Sequence, residues 1–136
     1  MKRETFPLNL KTANEIKAFN VEMEFDEDTG INKFLMLIDG ERIELSGDTE
    51  SIFVKLSRIL NGKYEIQSCF TCRYGNFCPW GDIDNEIFCI SDFEPKSKND
   101  LFFLYNNSVE MKSRHRTLFD ICEKFLPCSD DYWTYK

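Results

Sequence analysis

A run of cysteines in the middle of the chain constrains the fold more than any other sequence feature. Four of the six cysteines lie between residues 69 and 89, and the first two, Cys69 and Cys72, are separated by two residues. Two thiols at this spacing, on a tight loop that leaves a strand, can both face one tetrahedral metal ion. In a reducing compartment, clustered cysteines indicate a metal site more often than disulfides. The sequence therefore predicts a structural zinc site here.

The remaining ligands must come from separate strands, because only one pair of cysteines has the two-residue spacing. Cys89 lies on a predicted strand just after the loop, and Cys122 lies in a strand-like run further along the chain. The predicted zinc ligands are therefore four cysteines: Cys69, Cys72, Cys89 and Cys122. Cys78 and Cys128, each next to a proline, are the alternatives for Cys89 or Cys122. Four thiolates leave no open position on zinc, which predicts a structural and not a catalytic metal.

The same residues carry a resemblance to a family. The elements of the resemblance are Cys69, Cys72, Tyr74, Pro79, Gly81, Cys89, Cys122 and Phe125. Together they resemble a small uncharacterised bacterial family with the pattern C-x2-C-x-[SY]-x4-P-x-G, a later single cysteine and a terminal C-P-x-F. The resemblance covers about residues 48–125, and the chain departs from it at Glu123, where the family has proline. It implies the same four ligands, and a loose association with bacterial defence loci implies an immunity-type or regulatory protein.

The length and the N-terminal residues predict one cytoplasmic domain. A chain of 136 residues is long enough for a single domain, residues 1–136, with its own core. The start of the chain has no apolar stretch or cleavage pattern typical of a signal peptide, and no apolar run is long enough to span a membrane. If the protein were exported by another route, three disulfides would be the alternative to zinc.

Alternating apolar residues predict an antiparallel meander in the first half. Residues 19–25, 33–38 and 42–45 read as three strands, with an Asp-Gly turn between the second and the third. The middle strand is apolar on both faces, so we expect both of its faces to be covered. Residues 48–61 predict the main helix, with Asp48 as N-cap and a helically spaced apolar stripe. The stripe comprises Ile52, Phe53, Leu56, Ile59 and Leu60.

Shorter elements follow in the second half. We predict strands at residues 63–68, 86–90 and 101–105, a loop at 73–86 and a turn at 106–108, with no assignment for 109–116. Residues 117–122 fit a strand or a helical turn, and their alternation favours the strand. The tail from residue 129 is aromatic and is predicted either to dock or to form a contact surface. The fold class is α+β: an antiparallel sheet of about five to seven strands with one main helix and a zinc-knuckle-like loop.

Charge and aromatic residues indicate the kind of partner. The formal net charge of −7 argues against general nucleic-acid binding and would attract a basic protein partner. The alternative is that the charge only keeps the protein soluble. Aromatic side chains are common at interface hot spots. The candidate contact residues are Tyr74, Trp80, Tyr132, Trp133 and Tyr135. The sequence therefore predicts a non-enzymatic protein-interaction domain.

Catalysis has weaker support in the sequence. The only histidine, His115, lies in a basic segment, and no motif places it beside Cys78 or Cys128. A thiol-dependent enzyme that uses one of these two cysteines is the alternative function. A thioredoxin-like redox role would need the Cys69–Cys72 pair to open a helix, whereas the glycine and proline that follow favour a loop. The alternating carboxylates of Asp82, Asp84 and Glu86 lack the rest of a calcium loop and predict a solvated turn.

Overall fold

The structure is a computed structural model that describes residues 1–81, 83–106 and 108–136. The chain forms two compact units, Met1–Ile66 and Gln67–Lys136. The prediction that residues 1–136 behave as one cooperative domain stays a prediction, which the number of unfolding transitions tests. Within the described residues, every helix is too short or too polar to cross a membrane.

A curled antiparallel sheet dominates the first unit. Its strands are β1 (Lys2–Lys11), β2 (Ile16–Phe25), β3 (Asn32–Ile38), β4 (Glu41–Gly47) and β5 (Glu65–Gln67). They lie in the order β4-β3-β2-β1-β5. The three strands predicted as a meander are β2, β3 and β4, and they pair antiparallel as predicted. The α+β fold class is confirmed.

Strand register collects the apolar side chains on one face of the sheet. Val21 lies opposite Met36, and Met23 lies opposite Phe34, so the alternating apolar residues of neighbouring strands share a face. All four of these side chains are buried. The predicted Asp39-Gly40 turn is present with positive φ angles of 51° and 77°, as a type I′ hairpin turn requires.

The main helix, α1 (Thr49–Leu60), forms for the predicted local reasons. The Asp48 carboxylate accepts a 2.7 Å hydrogen bond from the backbone N–H of Ser51, which caps the helix, and the chain leaves the helix at Asn61. The apolar stripe is buried at Ile52, Phe53, Leu56 and Leu60. The prediction was wrong at Ile59, which is exposed at the edge of the stripe.

Two expectations for the first unit were wrong. Strand β1 was not predicted, although it pairs with β2 over its full length. Strand β3 is not covered on both faces: Phe34, Met36 and Ile38 are buried on one side, whereas Leu37 is 67% exposed on the other. An antiparallel strand needs only one covered face, and the exposed apolar residues of β3 occupy the open one.

The second unit contains short elements joined by long loops. A three-stranded antiparallel sheet in the order β6-β7-β8 consists of β6 (Gly75–Asn76), β7 (Ile87–Cys89) and β8 (His115–Arg116). The helices are α2 (Lys98–Leu104) and α3 (Ser108–Arg114). One cluster of its buried side chains comprises Cys69, Phe77, Ile87 and Leu118.

Two predictions fail in this unit, and two others fall partly outside the described residues. Residues 101–105 were predicted as a strand but belong largely to α2, because a short apolar run does not distinguish a strand from a buried helix. Residues 117–122 form a turn and extended backbone, not a strand; the Asp120 carboxylate accepts a hydrogen bond from the Thr117 N–H, which closes the turn. Asp82 of the acidic trio and Asn107 of the predicted turn lie outside the described residues.

Candidate functional site

Hydrogen bonds of the backbone and of the Thr71 hydroxyl hold the loop that carries Cys69 and Cys72. The Thr71 hydroxyl donates to the Ser68 carbonyl at 3.1 Å and accepts from the Ser68 N–H at 3.0 Å, which closes a tight turn between the two cysteines. The Cys69 N–H donates to the Asp120 carbonyl at 2.8 Å, so the loop lies against the segment that leads to Cys122. The turn chemistry of the sequence and this tertiary contact together position the first two thiols.

The third predicted ligand is brought to the loop by sheet pairing. Cys89 of β7 lies opposite Gly75 of β6 in the antiparallel register. The Ile90 N–H donates to the Tyr74 carbonyl at 2.8 Å, which extends this pairing by one residue. Gly75 also donates its N–H to the Cys72 carbonyl at 3.1 Å, so a turn links the first pair of thiols directly to Cys89.

All four predicted ligands line one small cavity. Its volume is about 20 Å³, which is enough for a single water-sized species. The lining residues are Ser68, Cys69, Cys72, Tyr74, Gly75, Cys89, Arg116, Cys122, Lys124 and Phe125. The fold therefore brings four cysteines that are distant in the sequence to the wall of one cavity.

The thiols of this cavity differ in their surroundings. Cys69 and Cys72 are buried, Cys89 is partly buried and Cys122 is exposed. Burial raises the pKa of the Cys69 thiol to about 12, and the negative charges of Asp120, Cys72 and Cys89 act in the same direction. The Cys122 sulfur accepts a hydrogen bond from the Lys124 N–H at 3.3 Å. At neutral pH, Cys69 therefore keeps its proton unless a cation displaces it.

The side chains as they lie do not yet form a coordination shell. Across residues 1–81, 83–106 and 108–136, no group of three or more His, Cys, Asp and Glu side chains could hold a metal ion. Each of the six cysteines is a free thiol. Four sulfurs at zinc-bonding distance, about 2.3 Å from one ion, would require the cysteine side chains to turn towards the cavity centre. Zinc binding thus stays a prediction.

The two alternative ligands, Cys78 and Cys128, do not line this cavity. Cys128 is exposed; its sulfur contacts the Thr71 carbonyl at 3.4 Å and accepts from the Lys136 ammonium at 3.4 Å. Cys78 is partly buried and lines a separate, open pocket of about 520 Å³. The side chains of this pocket are Cys78, Trp80, Glu86, Phe88, Tyr105, Met111, Lys112 and His115.

This second pocket unites residues that the sequence analysis left apart. His115 and Cys78 line the same pocket, and Glu86 joins them, with its Oε2 3.4 Å from His115 Nε2. Glu86 was predicted as the first residue of a strand and as part of a solvated turn, yet its side chain is only 18% exposed. No local signal in the sequence reveals this grouping, because it depends on the pairing of β7 with β8, which places Phe88 opposite His115.

Comparison with protein-family models, curated proteins and solved structures finds no match for this chain. The resemblance to a small bacterial four-cysteine family therefore stays a prediction.

The predicted aromatic contact residues divide into a docked group and an exposed one. The tail is docked: the Phe77 N–H donates to the Tyr135 carbonyl at 2.8 Å, and the Tyr135 N–H donates to the Asn76 side-chain oxygen at 2.7 Å. The Tyr132 ring packs edge-on against Tyr74, with ring centroids 5.9 Å apart.

Trp80 forms the exposed group together with Phe103, which was not among the predicted contact residues. Trp80 is 68% exposed, and its ring lies 4.5 Å from that of Phe102 on α2. The neighbouring Phe103 is 80% exposed. The short helix α2 therefore presents apolar surface next to Trp80.

Proposed function

We propose that this chain is a protein-interaction domain whose second unit is stabilised by a structural zinc ion bound to Cys69, Cys72, Cys89 and Cys122. The observation that carries the proposal is the single cavity lined by these four cysteines. Soft thiolate ligands in a tetrahedral set favour zinc among common cellular metals. The proposal includes a cytoplasmic location, since the thiols must stay reduced to bind the ion.

The role of the metal follows from the structure of the unit around it. Its sheet strands are only two or three residues long, so regular structure alone provides little stability. A zinc ion that joined the loop of Cys69 and Cys72 to β7 and to Cys122 would cross-link three separate segments. In zinc-finger peptides such binding contributes on the order of 10 kcal/mol, and less where a core already exists.

Metal analysis and cysteine substitution test the zinc site. Native mass spectrometry of untagged protein, purified without added metal, should find one zinc ion per chain. Each of the four variants Cys69→Ser, Cys72→Ser, Cys89→Ser and Cys122→Ser should lose the ion and melt at a lower temperature. Cys128→Ser is the matched control, because this exposed thiol lies outside the proposed ligand set. If the protein instead contains no metal and its mass is lower by two hydrogens per cysteine pair, the cysteines form disulfides and the zinc site is wrong.

The interaction surface is proposed to centre on Trp80 and Phe103. Both rings are largely exposed, and large exposed aromatics are frequent anchors of protein interfaces. The net charge of −7 favours a basic partner, and the family resemblance adds an immunity-type or regulatory role in a bacterium.

Paired substitutions test this surface. Trp80→Ala and Phe103→Ala should each weaken capture of the partner from a bacterial lysate by tenfold or more, on the order of 1.4 kcal/mol. Leu37→Ala in the first unit is the control, since Leu37 is also an exposed apolar side chain. If all three variants lose binding equally, or if none of them loses binding, the interaction surface does not centre on Trp80 and Phe103.

A further inference from the structure

The open pocket around Cys78 has the size and lining of a small-molecule site. Its volume of about 520 Å³ lies within the range of about 300–1,000 Å³ typical of ligand pockets. Four apolar or aromatic side chains form much of its wall: Trp80, Phe88, Tyr105 and Met111. A thiol, an imidazole, a carboxylate and an ammonium group provide the polar part of the lining. Such a pocket suits a small ligand with an apolar portion and one reactive polar group.

The imidazole of His115 is oriented by its neighbours. Its Nε2 faces the Glu86 carboxylate at 3.4 Å, and the Phe88 ring packs edge-on against it with centroids 5.8 Å apart. At this distance the Glu86 carboxylate is placed to accept the Nε2 proton, which would leave the lone pair of the neutral imidazole on Nδ1. Glu86 and Phe88 therefore orient the imidazole as a potential base.

The backbone around Cys78 is also held in place. The Tyr105 hydroxyl lies 3.4 Å from the carbonyl oxygens of Asn76 and Phe77, the two residues that precede Cys78. Burial raises the pKa of Tyr105, with the negative charge of Cys78 as the next cause, so the phenol stays neutral and remains a hydrogen-bond donor. Cys78 itself is partly buried, which leaves its sulfur accessible from the pocket.

We propose that Cys78 is the nucleophile of an acyl-transfer site, with His115 as its general base and Glu86 as the residue that positions the imidazole. The substrate class is an ester or thioester with a short apolar acyl group, which the aromatic wall would accommodate. This inference adds an activity to the proposed interaction role, and its three residues lie outside the proposed zinc ligands.

The proposed reaction consumes only the ester or thioester substrate and water. The Cys78 thiol transfers its proton to His115 Nδ1 as the sulfur bonds to the substrate carbonyl carbon. The bond from that carbon to the leaving alcohol or thiol breaks, and the imidazolium returns the proton to the leaving group. Water then attacks the acyl-cysteine with His115 again as base, which releases the carboxylic acid and restores the thiol. Lys112, which also lines the pocket, supplies positive charge for the carbonyl oxygen.

Acylation by p-nitrophenyl butyrate tests the site in the full-length, metal-loaded protein. We expect release of one p-nitrophenolate per chain in an initial burst, with the butyryl group on Cys78 in the peptide map. His115→Gln should slow the burst by a factor of about 10²–10⁴, the usual contribution of a general base. Cys128→Ser should leave it unchanged. The peptide map identifies the acylated residue in the wild-type chain. The test therefore does not depend on whether a Cys78→Ser variant folds.

Two substitutions separate positioning by Glu86 from a merely structural role. Glu86→Ala should slow the burst, whereas Glu86→Gln, whose amide oxygen can still accept a hydrogen bond from His115 Nε2, should recover most of the rate. An acyl group on Lys112 or Cys128, or a burst that survives His115→Gln, would overturn the proposal.

Discussion

Replacement of Gly75 by alanine should disrupt the cysteine loop. A Cβ atom at this position would lie 2.1 Å from the Cys69 carbonyl oxygen and 2.9 Å from Ile87 Cδ1. Real Cβ atoms essentially never approach other atoms within 3.0 Å, so the backbone of Cys69 would have to move by about 1 Å. Because the obstacle is backbone and not a flexible side chain, rotation of a side chain cannot relieve it.

The expected cost is at the upper end of the range for overpacked sites. Such substitutions cost about 1–3 kcal/mol, and a backbone clash places this one near 3 kcal/mol. For a domain of this size, about 3 kcal/mol lowers the melting temperature by about 10 °C. Gly75 also pairs with Cys89 and donates to the Cys72 carbonyl, so the shift should reduce zinc retention as well.

Thermal unfolding and metal content measure both effects. The control is Gly30→Ala: no atom lies within 4 Å of the added Cβ, and only the positive φ of 70° opposes the substitution. That backbone cost is about 1–2 kcal/mol and should leave the zinc content unchanged. If Gly75→Ala melts within about 2 °C of wild type and retains full metal, the close approach of Gly75 to Cys69 is wrong.

Other substitutions test single contacts. Asp48→Ala should cost about 1 kcal/mol in chemical denaturation because the Ser51 N–H loses its cap, whereas Asp48→Ser should retain most of the stability. Arg114→Met should lower the free energy of unfolding by about 2–3 kcal/mol, since the largely buried guanidinium donates two hydrogen bonds to Asp92. As the control, replacement of the exposed Arg58 by methionine should change it by no more than about 0.5 kcal/mol. Those hydrogen bonds lower the pKa of Asp92, so its contribution is present above its unfolded pKa of about 3.9 and is lost as the pH falls through the folded value. Acid titration of Asp92→Asn should therefore show a smaller loss of stability over that range.

The parts of the fold that were predicted correctly have strong local signals. Helix α1 has its N-cap, its periodic stripe and its stop within one short segment. The hairpin between β3 and β4 is specified by two adjacent residues, Asp39 and Gly40. Strand β1 has a weaker signal: Phe6, Leu8 and Leu10 alternate along it, but Pro7 lies within this short run and proline is uncommon inside strands. Its full length comes from ten-residue pairing with β2. Tertiary pairing of this kind does not appear in the residues of one segment.

The two candidate sites differ in the same way. The two-residue spacing of Cys69 and Cys72 is readable from sequence, and the cavity contains both thiols. The approach of Glu86 to His115 follows instead from the register of β7 and β8, elements of three and two residues. A two-residue strand has no periodicity to detect, so the partner of the only histidine could not be predicted.

Strand β7 connects the two sites physically. Neighbouring residues of a strand point to opposite faces: Cys89 lines the cysteine cavity, and Phe88 lines the pocket and packs against His115. A metal ion that fixed Cys89 would therefore also restrict Phe88 and the imidazole behind it. We expect zinc removal by a chelator, or Cys89→Ser, to slow acylation of Cys78 under conditions where circular dichroism shows the fold retained. Unchanged acylation in the metal-free, folded protein would show that the two faces of β7 act independently.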